Sequence, residues 1–479
     1  MIDYQTIKRF AKEQGVSIKD MIALAPANDP FYTGCKAELA AAKWFSGLWQ
    51  KFGYGDNVHL RRVHYQTVSQ DPPLRKPDGT VYENTLNDWG YLCKAGKYAR
   101  YLDLVSPTAF VDRRNPQAKI HARWENEGDR NYNDPTPEYE ATHDNEKWER
   151  YVLPKLPELG NIGYSDLPYL PDYEVRGYDD GIQQDYHLEI WVEKTTMNDV
   201  LEPLCRRYNV NLVTGAGEMS ITSVVDFMAR VRMSQRPARI LYISDYDPAG
   251  LGMPISVARK IEFFQRRNGD GDLDIRLQPV ALTSEQVQEY NLPRVPVKDT
   301  DLRKANWERD HGQGQVELDA LEALYPGDLA RIVEDTILEY YDPDLPQNAR
   351  RERERLESDL DEIRDAHRDY HQDDIDTLND DYQALRDDFE KTREKFAEMA
   401  GEFAPEVEAY KERLEKIVER GQELYTNLHD GLTEAVDLDI DDYPLPTPYL
   451  PQESDGTLYV SDREYMDQIE AYRVYRHNE

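Results

Sequence analysis

Two carboxylates, Asp245 and Asp247, close the apolar run Arg239-Ile-Leu-Tyr-Ile-Ser244 and are followed at once by Pro248, Ala249 and Gly250. A short apolar run stopped by Pro and Gly predicts a buried β-strand. Strand alternation sends Asp245 and Asp247 to the same side. Both then lie on the loop at the strand's carboxyl end, the edge where open α/β sheets bind ligands. A third acid, Glu193, ends a second β-rich run, Leu188-Glu-Ile-Trp-Val192. Acids so placed suit Mg²⁺, which prefers oxygen ligands, keeps several waters and is held by one or two protein carboxylates plus phosphate. The expected metal ligands are Glu193, Asp245 and Asp247. Their expected work is neutralising charge that develops on a phosphodiester during in-line displacement. For Glu193 two roles stay open: a further ligand, or a general acid/base whose pKa is raised by the neighbouring charges.

The elements that must position these acids follow a pattern. After Glu193 come a helical stretch, a strand at Val210–Thr214, and the turn Gly215-Ala-Gly217 opening a helix around Ser220–Val231. The order β-α-β-α-β predicts a parallel sheet. Upstream, residues 36–52 form an amphipathic helix, a second helix begins near Asn57, and a third runs from about Asn84 to Tyr101. Leu102–Phe110 then offers a strand or wing, which completes a winged-helix layout.

Three segments, Val192-Glu193-Lys194, Thr214-Gly-Ala-Gly217 and Asp245-Tyr-Asp247-Pro-Ala-Gly250, resemble in order and spacing the Toprim domain of the topoisomerase VI A subunit and of the meiotic double-strand-break transesterase. The similarity continues through Ala281–Pro293, Val297–Asp301 and Val316-Glu-Leu-Asp-Ala-Leu321. In that family the DNA-cleaving tyrosine lies in a winged-helix domain within an Arg-x-apolar-x-Tyr sequence, which Arg61-Arg-Val-His-Tyr65 matches. The resemblance implies Tyr65 as nucleophile. Arg61, four residues away on the same helix face, would hold the phosphate under attack. Tyr54, Tyr82, Tyr91, Tyr98 and Tyr101 are second-line candidates in a chain with 33 tyrosines, and His64 is expected to face DNA or solvent.

The resemblance further implies a homodimer acting on double-stranded DNA with Mg²⁺. Tyr65 of one protomer would form a 5′-phosphotyrosyl bond while the acids of the other protomer hold the metal. No Walker-type loop is present, so an ATPase subunit would have to be a separate chain.

Charge bears on the DNA expectation. The chain carries a net charge of −35, the wrong sign for a general polyanion binder. Yet residues 1–124 hold 18 Lys/Arg against 12 Asp/Glu, and the remainder 40 against 81. The expected phosphate contacts are Arg61, Arg62, Arg75, Lys76, Lys94, Lys97 and Arg100, with Arg113, Arg114 and Lys119 beyond them. Cys35, Cys93 and Cys205 are scattered, which argues against structural zinc and a disulfide framework. No apolar run approaches a membrane span and the N-terminus lacks a leader pattern, so a cytoplasmic protein is expected.

Five segments follow. Residues 1–124 are the winged-helix domain, 125–186 an acidic connector rich in Pro and Tyr, and 187–345 the Toprim domain. Residues 346–437 are an antiparallel coiled-coil arm and 438–479 a tail that docks by its aromatics or stays mobile. In the arm, Leu378, Tyr382, Leu385, Phe389, Thr392, Phe396, Met399 and Phe403 follow a heptad seam. A helix from Asn348 to about Glu402 would turn at Gly401–Pro405 and return through Val407, Tyr410, Leu414, Ile417 and Leu424. Leu356, Leu360, Ile363, His367 and Tyr370 sit one residue out of phase. The arm is foreign to the family and suggests a protein partner. The expectation is an α/β multidomain enzyme that cleaves DNA by transesterification. The alternatives are a Toprim nuclease that uses water, as in defence against foreign DNA, and a DNA-binding scaffold that does not cleave.

Overall fold

The structure is a computed structural model that describes residues 4–112, 115–122, 137–141, 151–152, 162–164, 170–178, 184–398, 404–451 and 456–478. It is mixed α/β and divides into two units. The first comprises residues 1–125, 184–343 and 448–479, the second residues 126–183 and 344–447. The expected winged-helix segment and nearly all of the expected Toprim segment lie in the first unit, nearly all of the connector lies with the arm in the second, and the tail is divided between the two.

In the first unit, β1 (His187–Val192), β2 (Asn211–Thr214), β3 (Ala238–Ile243), β4 (Ile275–Ala281) and β5 (Tyr459–Val460) form a sheet in the order β2-β1-β3-β4-β5. The first four run parallel, and β5 is antiparallel to β4. All residues of β1, β2 and β3 are buried. A parallel sheet covered on both faces needs such continuous burial.

Alternation then sorts the side chains. Trp191, Ile240 and Tyr242 pack with α6 (Ile221–Ser234) and α7 (Gly252–Asn268) through residues such as Phe227 and Ile255. Ile190, Val192, Leu241 and Ile243 pack on the other face with α5 (Asn198–Tyr208), Leu318 and Val333. One charged side chain lies inside β1. Burial works to raise the Glu189 carboxyl, but Arg230 grips it with two hydrogen bonds and His187 adds another, holding it well below the usual carboxylate range.

Upstream of the sheet, α1 (Tyr4–Gln14) precedes α2 (Lys36–Lys51), α3 (Leu60–Val68) and α4 (Leu86–Tyr101). The last three surround Phe45, Leu48, Trp49, Val63, Leu92 and Ala95. His59 caps α3 by accepting from the Arg61 N–H, and Thr85 caps α4 by accepting from the Asp88 N–H. The expected wing at Leu102–Phe110 is not a strand: the segment turns back over the end of α4, where the Leu104 N–H reaches Ala99 O at 2.9 Å. It makes a single bridge, Phe110 to Val58. Asp103 at φ 60° and Pro107 explain why it does not extend. A hairpin-like turn lies instead between α3 and α4, where Arg75 bridges Val81 around Pro77-Asp78-Gly79. Pro-Asp-Gly is a turn signal in its own right.

The tail docks in part. The Leu458 and Ser461 N–H groups bond Leu277 and Ile275 carbonyls, covering the exposed edge of β4. The helix Tyr465–Asn478 then buries Ile469 and Tyr472. Tyr465 and Tyr472 face the fully buried Arg259, which pairs with Asp29 and Glu262.

The second unit contains helices Leu345–Tyr370, Gln372–Glu398 and Ala404–Ala435. The single helix expected from Asn348 to about Glu402 is thus two helices broken at His371. The break accounts for the phase change. Leu378, Leu385, Phe389 and Leu414 share one core, whereas Leu356 and Leu360 pack against Val175, Tyr178 and Tyr443. Thr392 and Phe396 are buried and Tyr382 is half-buried; Met399 and Phe403 fall outside the described residues, as does most of the 401–405 turn. The connector is also more than a linker, since Glu138–Ala141 pairs antiparallel with Tyr173–Arg176. Among the described residues no helix is long and apolar enough to cross a membrane.

Candidate metal and active site

Register delivers the acids to one edge. Val192 pairs with Ile243 on one side and Thr214 on the other, so the residues that follow each strand emerge together at the carboxyl end. The Glu193 N–H bonds Ile243 O at 3.0 Å. The Glu193 carboxylate accepts from the Asp245 N–H at 3.2 Å. The glycine turn after β2 closes on the same place, with the Gly217 N–H donating to Glu193 O at 3.1 Å.

The Asp245 carboxylate uses one oxygen twice, accepting from Lys194 Nζ at 2.9 Å and from the Leu318 N–H at 2.8 Å. Asp247 turns one oxygen into its own loop, accepting from the Ala249 and Gly250 N–H groups. The loop is tight. A Cβ on Gly250 would lie 1.9 Å from Asp245 O, so only glycine allows the chain to cross there.

Burial and the charges of Asp245 and Asp247 push the Glu193 carboxyl up to about 7 from its ordinary 4.5, against the Asp245 N–H and Lys194. Asp247 is raised by burial and by Asp245, although the Gly250 and Ala249 N–H groups oppose this. Burial works to lower Lys194, but the Asp319 and Asp245 carboxylates hold it above its ordinary value.

The folded chain thus keeps a proton on Glu193 that the unfolded chain releases near 4.5. Stability therefore falls as pH rises from about 4.5 to about 7 and stays lower above that. Glu193→Gln is expected to stabilise the protein at pH 8 by about 1–3 kcal/mol, a range discounted for partial exposure of the carboxyl, and to change little at pH 4. Urea unfolding at the two pH values measures this, and an equal change at both would refute it.

On α3, Tyr65 is 54% exposed and its ring lies 5.2 Å from that of His64. Arg61 and Arg62 are exposed on the same helix, and the Arg61 guanidinium lies 5.7 Å from the Trp89 ring centroid. His64 faces neither solvent nor DNA. It is buried, hydrogen-bonded to Tyr82 at 2.7 Å and Asn84 at 3.0 Å. Of the other tyrosines, Tyr82, Tyr98 and Tyr101 are buried, and the Tyr54 hydroxyl is held by Gln66.

No protein-family model matches the chain, and no curated protein matches it either.

What the site can do therefore rests on its own chemistry. Among the described residues no three His, Cys, Asp or Glu side chains form a ready metal cage. Of the expected ligands, one Asp245 oxygen is engaged by Lys194 and Leu318, and one Asp247 oxygen by its own loop. What is present still fits Mg²⁺, because that ion needs only one or two protein carboxylates and takes water and phosphate for the rest. Asp245 and Asp247 each retain the second carboxylate oxygen, and the charge that adds to burial in raising Glu193 is excess negative charge that a cation relieves.

The expected phosphate contacts divide. Arg61, Arg62, Arg75 and Lys94 are exposed. Lys76 is paired with Asp88, and Lys119 with Glu202. Lys97 is half-buried and donates to Ala27 O. Arg100 is buried against Phe110, donates to Pro107 O and Thr222, and is lowered by burial to about 10. Lys76 and Lys119 therefore leave the set of free surface cations through their ion pairs, and Lys97 and Arg100 because amphipathic stems on a packed helix are drawn into the core beneath it. Arg113 and Arg114 lie outside the described residues.

Lys194 and Asp319 are the site residues that spacing did not reveal. Lys194 Nζ lies 2.6 Å from Asp319 as well as 2.9 Å from Asp245. The link depends on the bridge between Tyr246 and Val316, which no local signal announces.

Gly250→Ala tests the loop. It is expected to cost about 1–3 kcal/mol or more, as overpacking does, whereas Gly252→Ala, with nothing within 4 Å of its Cβ position, should stay within about 1 kcal/mol of the parent. Urea midpoints decide, and equal effects would show that the crossing is looser than described.

Proposed function

We propose that the chain is a DNA-cleaving enzyme of the topoisomerase VI A kind. On this reading, α2 to α4 act as a winged-helix DNA-binding domain, the parallel sheet as a Toprim domain, and the second unit's helices as a coiled-coil arm that engages a protein partner. The observation that carries the reading is the meeting of Glu193 and Asp245, 52 residues apart, at the carboxyl edge of a parallel sheet through a 3.2 Å hydrogen bond, with Asp247 on the same loop.

Asp245 and Asp247 would hold Mg²⁺, which when bound neutralises charge building on the phosphodiester and its leaving oxygen. Lys194 holds Asp245 in place. Tyr65 contributes an exposed phenol oxygen that attacks phosphorus, forming a P–O bond as the 3′ oxygen departs with a proton and the tyrosine stays on the 5′ phosphate. Arg61 and Arg62 orient the phosphate. As carried over from the family, Tyr65 of one protomer works with the acids of the other in a homodimer, and an ATPase subunit, where one takes part, is a separate chain.

A second reading is favoured by one observation. The Glu193 carboxyl sits at about 7, suited to a general base that activates water near neutral pH, which would make the enzyme a hydrolytic nuclease. Incubating the protein with supercoiled DNA and Mg²⁺, then denaturing, separates the two. Transesterification leaves protein covalently on cut DNA, hydrolysis leaves cut DNA free of protein, and intact DNA with every divalent metal refutes both.

A further inference from the structure

Beside the Asp245–Asp247 loop the first unit contains a cavity of about 460 Å³, inside the ~300–1,000 Å³ range of small-ligand pockets. Distant stretches of sequence build it. The loop after Asp247 and the start of α7 form one wall, residues 303–311 another, and the C-terminal helix closes it with Arg476 and His477.

The walls differ in chemistry. Leu24, Leu251 and Met253 make an apolar surface, backed by the buried Trp307. Arg303, Arg309 and Arg476 bring three guanidinium groups to the same space, with His311 and His477, against the two acids Glu218 and Asp310. In a chain with a net charge of −35, a cavity lined by more cations than acids departs from the overall balance.

The cations are braced. Arg303 is held by Asp301 and donates to Pro248 O at 2.9 Å, tying it to the aspartate loop. Arg309 is held by Asp310, and Arg476 donates one N–H to Ala23 O at 2.9 Å. A guanidinium has five N–H donors in a planar fork that matches phosphate, so such bracing orients the group without exhausting it. The aromatic backing also reaches the acids: Trp307 packs on Tyr246 at 5.0 Å, and Tyr246 stands between Asp245 and Asp247 in the chain.

An apolar wall beside a cationic rim is complementary to a nucleotide, whose base has an apolar face and whose phosphate is an anion. We propose that this cavity takes one nucleotide of a DNA strand, base against Leu251 and Met253 and phosphate against Arg303, Arg309 and Arg476, flanking the phosphodiester that the acids face. The proposal rests on the DNA-cleaving reading for the identity of the ligand, while the cavity and its charges stand apart from it.

Calorimetry on the full chain at low salt without Mg²⁺, with deoxyadenosine 5′-monophosphate, deoxyadenosine and inorganic phosphate as separate probes, tests it. The nucleotide is expected to bind saturably and at least about tenfold more tightly than either half. Met253→Trp, which fills the cavity, and Arg309→Ala, on an exposed side chain, are each expected to weaken it about tenfold or more. Absence of saturable binding, phosphate binding as tightly as the nucleotide, or indifference to both cavity variants would each overturn the assignment. Nucleotide binding in a chain that never cuts DNA would sink the cleavage reading and spare the cavity, and cutting without nucleotide binding would do the reverse.

Discussion

Tyr65→Phe is expected to abolish every covalent protein–DNA adduct while DNA binding changes by less than about threefold. The substitution deletes one oxygen from a side chain that is 54% exposed, so neither packing nor a buried hydrogen bond is lost, and surface changes of this kind stay within about 0.5 kcal/mol. The proposed nucleophile itself is gone, and a phenyl ring has no group to replace it. Arg61 and Arg62 remain on the same helix to hold phosphate, which is why binding survives. The measurement is a denaturing gel of end-labelled DNA after reaction with Mg²⁺. An adduct retained by the Phe variant would move the nucleophile elsewhere, with the half-buried Tyr91 the next candidate on α4.

Glu193→Gln and Asp245→Asn, made separately, are each expected to lower Mg²⁺-dependent cleavage by about 10²- to 10⁴-fold, the range for losing a positioned acid/base or an electrostatic group at a reacting centre. The two should differ in their effect on pH dependence. Without metal the Glu193 carboxyl lies at about 7, and a cation beside it favours the anion, so cleavage that needs that anion rises at or below neutral pH in the parent. The Gln variant should lose that rise, whereas the Asn variant should show it in its residual activity at a lower pH, because one of the charges that raises Glu193 is gone. Rates measured from pH 5.5 to 9 decide. Unchanged cleavage in either variant would remove these acids from the chemistry, whatever the fold around them.

Much of the sheet was legible in the chain. The strands ending near Thr214 and Asp245 were each announced by an apolar run with a breaker after it, and the one ending near Glu193 by its apolar run alone, because a strand buried on both faces has little room for polar residues. The helix seam through Leu378, Leu385 and Phe389 was legible for the same reason, periodicity being a direct record of burial. Less visible was what held these parts together. The break at His371 showed only as a change of phase, since either partner core satisfies a heptad. Arg100 and Lys97 looked like surface cations, because a charge on a helix is written the same way whether its stem lies outward or inward. The wing was expected after α4, yet the Pro-Asp-Gly turn that makes a hairpin lies before it.

By itself the sequence determined which strand ends bring the three acids, Glu193, Asp245 and Asp247, to a sheet edge, because local alternation and chain breakers act over a few residues; Tyr65 entered only through the resemblance of Arg61-Arg-Val-His-Tyr65. Only the tertiary structure decided how those acids are engaged. Lys194 and the Leu318 N–H hold one oxygen of Asp245, Gly250 permits the crossing that folds Asp247 back on its own loop, and the C-terminal helix brings Arg476 beside them from more than two hundred residues away. Such contacts depend on strand register and on the docking of remote segments, and no local pattern records either one.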